Sequence, residues 1–318
     1  AALAANKADV WNSGKVAGSQ SIHIRYNGAA LQSGSRYYWK VLAWTNKSSN
    51  PVTLSSEFST GLFQSSDWKA KWIGYDQASP WDSISQWSRL SARYLRKSFS
   101  AKPALKRATV HIAGMGMYEL YINGKKIGNQ VLAPNPTDYR KTVLYNTHDV
   151  TTALKAGNNA IGVVLGNGRF FTMRQNYKTH KHNNFGFPKL LLQLQLEYAD
   201  GSKQWVLSDE SWKLNVDGAI RSNNEYDGEE YDARKEWPGW TTAAFDASKW
   251  MQANLVAAPD GKLKAQSAES MQVMKVIQPK SIRKNASGRY IIDMGQNFSG
   301  WMHLKNIAGK KGDSIVLR

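Results

Sequence analysis

Cysteine is absent from the 318 residues, which excludes disulfide frameworks, Cys-ligated zinc, iron–sulfur clusters and a thiol nucleophile together. It leaves the compartment open, because chains without disulfides occur in every one. Long apolar runs are missing too. Nothing approaches the roughly 20 residues of a membrane span, and Ala1 to Trp11 shows no charged segment followed by an apolar core, so no signal peptide is visible. Acidic residues are few, 24 against 42 Lys and Arg, for a formal charge of +18. Such an excess suits nucleic acid, an anionic surface or an acidic polymer. Here, however, the basic residues are scattered, and even Lys310-Lys311 is bracketed by Gly309 and Gly312 as in a turn. Dispersed charge reads as solvated surface, and nucleic acid is not expected as a partner.

What is present points to β-structure. The 13 Trp and 14 Tyr suit half-buried sheet faces and sugar-stacking surfaces alike. Tyr118 to Ile122 alternates and turns on Asn123-Gly124, a pair that tolerates the positive φ a type I′ hairpin requires. Alternation predicts strands at Tyr94–Phe99, Arg107–Ile112, Met117–Ile122, Thr142–Tyr145, Asn159–Leu165, Lys189–Tyr198, Gln204–Ser208 and Trp212–Val216, with turns at Lys155–Asn159 and Asp200-Gly201. No helix of convincing length separates them, although Asp246 is placed to cap one short helical turn. Earlier, Ser21–Tyr26 and Tyr37–Trp44 alternate; later, Met271–Ile277, Tyr290–Asp293, Met302–Ile307 and Ser314–Leu317 do. The fold class expected is therefore mainly β, in consecutive sandwich modules: a partial fibronectin type III-like domain over 1–62, a linker with first strands of the next sandwich over 63–93, a jelly roll over 94–258, and a segment of a second sandwich over 259–318. Too few residues precede Trp11 for the first strands of a fibronectin-like fold, so the chain is expected to begin inside a domain.

Several motifs carry chemistry on paper. Gly114-Met115-Gly116 follows a strand but lacks a third Gly and a following helix, which argues against a dinucleotide loop. His180 and His182 have no nearby carboxylate to complete a zinc site, and Phe298-Ser299-Gly300 lacks the strand-to-helix context of a nucleophile elbow. Trp81 and Trp87 suit a sugar platform or, more ordinarily, packing. Asp227, Glu229, Glu230, Asp232 and Arg234 crowd one short stretch. Same-face neighbours in a strand lie about 6.5–7 Å apart, within the range of an inverting glycosidase pair. Yet carboxylates along one strand do not flank a sugar from opposite sides, and Asp232 with Arg234 reads as an ion pair, so a structural role is favoured. Asn135 and Asp138, together with Asn183, Asn184 and the carbonyls around Phe187-Pro188, are hard oxygen donors of the kind Ca²⁺ accepts. If the fold joins the two loops, they make a cation-assisted sugar site; otherwise they are polar loops with Asx turns.

The stretches "GMGMYELYINGKKIGNQVLAPNPTDYRKTVLYNTHDVTTALKAGNNAIGVVLGNG", "PKLLLQLQLEYADGSKQWVLSDESWK", "YDGEEYDARKEWPGW" and "IIDMGQNFSGWMHLKNIAGKKGDSIVLR" together resemble the N-terminal part of bacterial α-L-rhamnosidases of glycoside hydrolase family 78. The resemblance implies a fibronectin-like module, a jelly roll similar to carbohydrate-binding modules, a second sandwich, and then an (α/α)₆ barrel holding the catalytic acid and base. By that resemblance no catalytic residue lies in this chain. In some relatives the jelly roll binds L-rhamnose with Ca²⁺, which implies metal candidates Asn135, Asp138, Asn183 and Pro188 and sugar candidates Asn135, Asp138 and Asn183; the Gly-flexed loop Gly166–Phe171 adds Asn167, Arg169 and Phe170 as a sugar wall or, equally, as a turn with a core Phe. This first loop carries Asn135-Pro136 where such relatives look more acidic. The expected partner is a rhamnose-containing polysaccharide or glycoside of plant or algal origin, and the expected location is extracytoplasmic, periplasmic or secreted. A ligand-free structural scaffold is the alternative.

Overall fold

The computed structural model describes residues 3, 5–84, 89–172, 185–225 and 227–317. In chain order the strands are β1 (Arg36–Thr45), β2 (Ser48–Ser59), β3 (Ile73–Gly74), β4 (Arg93–Ala101), β5 (Leu105–Met115), β6 (Met117–Ile122), β7 (Lys125–Lys126), β8 (Thr142–Asp149), β9 (Gly157–Gly166), β10 (Lys189–Tyr198), β11 (Lys203–Leu207), β12 (Lys213–Asn215), β13 (Ile220–Asn224), β14 (Gly228–Tyr231), β15 (Met251–Gln252), β16 (Asn254–Leu255), β17 (Lys262–Ala265), β18 (Ser281–Lys284) and β19 (Tyr290–Asp293). Helical structure among the described residues is limited to three short 3-10 turns. Contacts divide the chain into two units, 1–272 and 273–318.

The first unit is built on a β-sandwich. One sheet runs β16-β3-β10-β5-β8-β17, with β11 on the same edge of β10 as β3; the other runs β15-β12-β4-β9-β6-β7. All the pairs are antiparallel except β17 on β8. Alternation decides which side chains meet between the sheets. Val110 and Ile112 on β5 and Leu190, Leu192, Leu194 and Leu196 on β10 form one core with Leu95, Leu120, Ile161, Val163 and Leu165 of the other sheet. Each such side chain stabilises the fold by about 1.5–3 kcal/mol. Trp212 closes one edge, fully buried, its indole N–H donating to the Leu207 carbonyl at 2.7 Å.

Turns behave as their residues require. Asn123 and Gly124 have φ of 50° and 85°, and the Asn123 side chain locks the turn by donating to the Ala153 carbonyl and the Asn159 amide oxygen. The returning strand, β7, is only two residues long. Gly116, at φ 116°, joins β5 directly to β6, and a Cβ there would strike the Gly166 carbonyl. The Gly114–Gly116 motif is therefore a strand-to-strand corner with no helix for a dinucleotide.

The outer faces of both sheets are roofed as well. Leu62, Trp68 and Trp72 cover the face that Leu191 of β10 and Tyr145 of β8 present. Trp237, Trp240 and Phe245 pack with Trp250 over Tyr94, and Arg96 threads this layer, donating to the carbonyls of Trp240 and Thr242 at 2.9 and 3.0 Å. Most of the described Trp thus pack. Trp81 is 41% exposed beneath the Arg221 guanidinium, and Trp87 lies outside the described residues.

β1 and β2 form a separate two-stranded sheet. In the second unit β18 pairs β19 in the register Ser281↔Asp293. Four predicted strands do not form among the described residues: Ser21–Tyr26, Met302–Ile307 and Ser314–Leu317 carry no strand, and Met271–Ile277 contributes only the bridge from Gln272 to Gln130. Alternation becomes a strand only where another strand edge accepts its backbone. Asp246 starts no helix; its carboxylate accepts from the Ser248 N–H and hydroxyl in an Asx turn. β17, expected in the second sandwich segment, extends the first unit's sheet.

Candidate functional site

Stretches of two connections, the one before β8 and the one from β9 to β10, meet at one end of the sandwich. Tyr139 follows the turn after the cis Ala133-Pro134 bond and is buried; its ring centroid lies 5.3 Å from that of Phe170 and 5.2 Å from that of Phe185, and Phe170 stacks on Phe185 at 5.9 Å. The Phe185 N–H donates to the Phe170 carbonyl at 3.0 Å. The loops carrying Asn135 and Asp138, Asn167 to Phe170, and Phe185 to Pro188 are therefore joined through an aromatic cluster. Aromatic packing joins the described parts of these loops, while Asn183 and Asn184, the polar half of the expected pairing, lie outside the described residues.

The predicted residues divide by depth. Phe170 is 2% exposed and Asn167 fully buried. Asn167 donates to the carbonyls of Leu90 and Asn223, at 2.7 and 2.8 Å, while its own amide oxygen is buried without a partner. These two brace the loops from within. Pro188 is buried at the start of β10, and Asn183, with His180 and His182, lies outside the described residues. Asn135 is half-buried; its N–H donates to the Gln266 side chain and its amide to the Glu269 carbonyl. Asp138 accepts from the Arg140 guanidinium at 3.0 Å and lies 3.8 Å from the Lys141 ammonium, and these cations hold its carboxyl below the ordinary range. Arg169 donates to Glu225 at 2.7 Å. Burial, followed by the Glu225 charge, pushes the Tyr139 hydroxyl up to about 12, which places that ion pair beside the aromatic cluster. Glu225 and Arg140 were not singled out from sequence. Arg140 had a readable signal in its position two residues past Asp138, and Glu225 had none.

Among the described residues no group of three His, Asp or Glu side chains gathers to hold a metal. The loop offers one carboxylate, Asp138, and that carboxylate is already neutralised by Arg140. The described part of this donor set falls short of the six to eight oxygens that Ca²⁺ takes, and its other members, Asn183 and Asn184, lie outside the described residues.

The acidic stretch is assembled differently. Glu230 pairs with Arg89, and Asp232 is gripped by Arg234 through two contacts of 2.7 Å, which bring its carboxyl down to about 2. Asp227 accepts from the Asn224 amide at 2.9 Å. Glu229 is pushed up by desolvation and by the Glu119 charge. Arg234 and Asn224 fix this stretch locally, whereas Arg89 ties Glu230 to a segment 141 residues earlier.

Residues 103–275 match the family described as the alpha-L-rhamnosidase N-terminal domain, residues 2–64 the Rha78A-like N-terminal immunoglobulin domain, and residues 283–318 the bacterial alpha-L-rhamnosidase concanavalin-like domain. An alpha-L-rhamnosidase of Formosa agariphila is 35% identical over 97% of this chain and 34% of its own length. Among solved structures, the alpha-L-rhamnosidase from Dictyoglumus thermophilum superposes with a TM-score of 0.81 at 41% identity, over 93% of this chain and 33% of that one. The alfa-L-rhamnosidase from Aspergillus terreus gives 0.80 at 31%, over 91% and 34%. The chain spans about a third of the length of the curated relatives it matches.

Proposed function

The chain belongs to the bacterial α-L-rhamnosidases, and from that premise we propose that it is the non-catalytic, sugar-holding region of an extracytoplasmic enzyme that removes terminal α-L-rhamnose from plant or algal glycans. On this reading the central sandwich is a jelly roll that presents sugar to a catalytic domain elsewhere in the protein, and the β1–β2 hairpin is part of a fibronectin-like or immunoglobulin-like module. The observation that carries it is the convergence of the two connections on Tyr139, Phe170 and Phe185, which leaves Asp138, Arg140 and Arg169 at the surface as partners for ring hydroxyls. Charged groups on a fixed apolar base are the usual composition of a sugar site.

The test is calorimetric titration of L-rhamnose into the 318-residue chain, with and without Ca²⁺. The expected result is a binding heat that is the same in both conditions and is weakened about tenfold in Arg169→Ala. Heat in neither condition leaves the ligand-free scaffold, and heat that requires Ca²⁺ makes this a cation-assisted site.

A further inference from the structure

A cleft lies in the first unit, and two of its lining residues, Gln266 and Glu269, also hold Asn135 of the loop described above. It encloses about 480 Å³ between Arg36 and Ser59 to Gly61 on one side and Gln266 to Gln272 on the other. Its floor is the rim of β8. β17 pairs with β8 only from Thr142 to Tyr145, and the chain then leaves the edge after the Gln266 N–H donates to the Tyr145 carbonyl. Beyond that point Asn146 to Asp149 are paired on the β5 side alone. Backbone groups alternate sides along an antiparallel strand. The Val150 N–H donates to Ala108 next to β5, so the N–H and C=O of Thr147 and Asp149 face the open edge, where no backbone partner meets them among the described residues. The sheet thus ends in a short row of unused donors and acceptors inside a cavity.

The side chains around that row narrow what it can take. The two guanidiniums are already engaged: Arg36 donates to Asp149 at 2.8 Å and lies 3.5 Å from Glu57, and Arg107 donates to the Gly34 carbonyl and lies 3.5 Å from Glu197. Each keeps only a buried Nε without a partner, and its charge is already answered by a carboxylate, Asp149 for Arg36 and Glu197 for Arg107. The aromatic ring at the floor, Tyr145, is 1% exposed, so no apolar pocket awaits a peptide side chain. What remains is a set of neutral groups that both give and accept. His148 takes the Gln130 amide on Nε2 at 2.9 Å, which leaves Nδ1 to carry its proton, and Asn146 accepts from the Tyr118 hydroxyl at 2.8 Å. Gln266 and Ser270 hold one another at 3.1 Å across the opposite wall. Vicinal hydroxyls need paired donors and acceptors of this kind.

We propose that this cleft, along the unpaired edge Thr147–Asp149 of β8, is a second carbohydrate site that binds an uncharged pyranose unit, its lining separate from Asp138, Arg140 and Arg169. Two sites on one sandwich would engage a polymer at two points and raise its apparent affinity without new contacts at either. The experiment labels the 318-residue chain with ¹⁵N-threonine, so that Thr60, Thr109 and Thr147, all lining the cleft, report directly. Methyl α-L-rhamnopyranoside and methyl β-D-glucopyranoside are titrated in turn to high millimolar concentration. The Thr147 amide is expected to shift saturably with at least one of them. Glu269→Trp, an exposed position whose larger side chain fills the cleft, should weaken that response about tenfold or more. Asp138→Ala should leave it unchanged, which separates failure here from failure of the loop site. Absence of a Thr147 shift with both sugars, or a shift that survives Glu269→Trp and disappears in Asp138→Ala, overturns the proposal.

Discussion

The loop end around Tyr139 and the acidic hairpin from Asp227 to Arg234 both concentrate chemistry-bearing residues, and they are built in opposite ways. At the loop end, Asp138 comes from the connection before β8, Phe170 and Phe185 come from the connection between β9 and β10, and the two connections meet on an aromatic base. In the hairpin the acidic residues are neighbours along one strand and its exit, and Asp232 is answered by Arg234 from two positions away, Asp227 by Asn224 from three. Convergence of separate connections makes a surface supported from beneath by packed rings. Crowding within one segment makes local ion pairs that hold a turn. The first arrangement suits recognition and the second suits structure, although both look equally charged in sequence.

That contrast is tested most severely by removing the aromatic base. Phe170→Ala deletes a ring packed against Tyr139 and Phe185 and should cost about 3–5 kcal/mol, seen as a lowered urea midpoint and, in native conditions, as loss of sugar binding. A change below about 1 kcal/mol would show that the loops are held by something else. Acidification should act on the layer beneath the same loops. His111, under Trp68 and Tyr145, is brought down to about 4 by burial, then by the Arg107 and His148 charges. The unfolded chain therefore binds this proton at higher pH than the folded one. Stability from this group is complete above the ordinary value near 6.5 and falls as pH drops towards about 4, by about 3 kcal/mol at most. Urea midpoints at both ends of that window should differ less in His111→Gln than in the parent; equal differences would remove His111 from the account. The smallest effect is expected in the hairpin. Glu230→Gln breaks an exposed pair with Arg89 and should change stability by no more than about 1 kcal/mol, with rhamnose binding untouched.

The central strands were legible because each face of the alternation has a real counterpart. Leu190, Leu192, Leu194 and Leu196 read as one face and bury together. The same signal was less informative outside the sandwich. Tyr37–Trp44 lies within β1, but the face its sheet carries remains open, with Val41 51%, Val52 69% and Leu54 63% exposed, while Ser21–Tyr26 finds no strand partner at all. β2 was obscured by its serines and Pro51, and exists because it pairs with β1 along nearly its whole length. At the candidate site, Asn135, Asp138 and Arg169 could be placed on loops by their turn residues. Depth could not be read locally. For Phe170 the sequence left a sugar wall and a core Phe equally open, and the fold takes the second; Asn167 also turns inward, because the partners, Tyr139 for the one and Leu90 and Asn223 for the other, are remote in the chain.

The claim that this region holds sugar without transforming it is tested most directly by incubating the 318-residue chain with p-nitrophenyl α-L-rhamnoside and measuring nitrophenol release. No release above the uncatalysed background is expected, in the parent chain or in Glu229→Gln. Turnover by the parent that Glu229→Gln abolishes would contradict the account and make the acidic hairpin an active site.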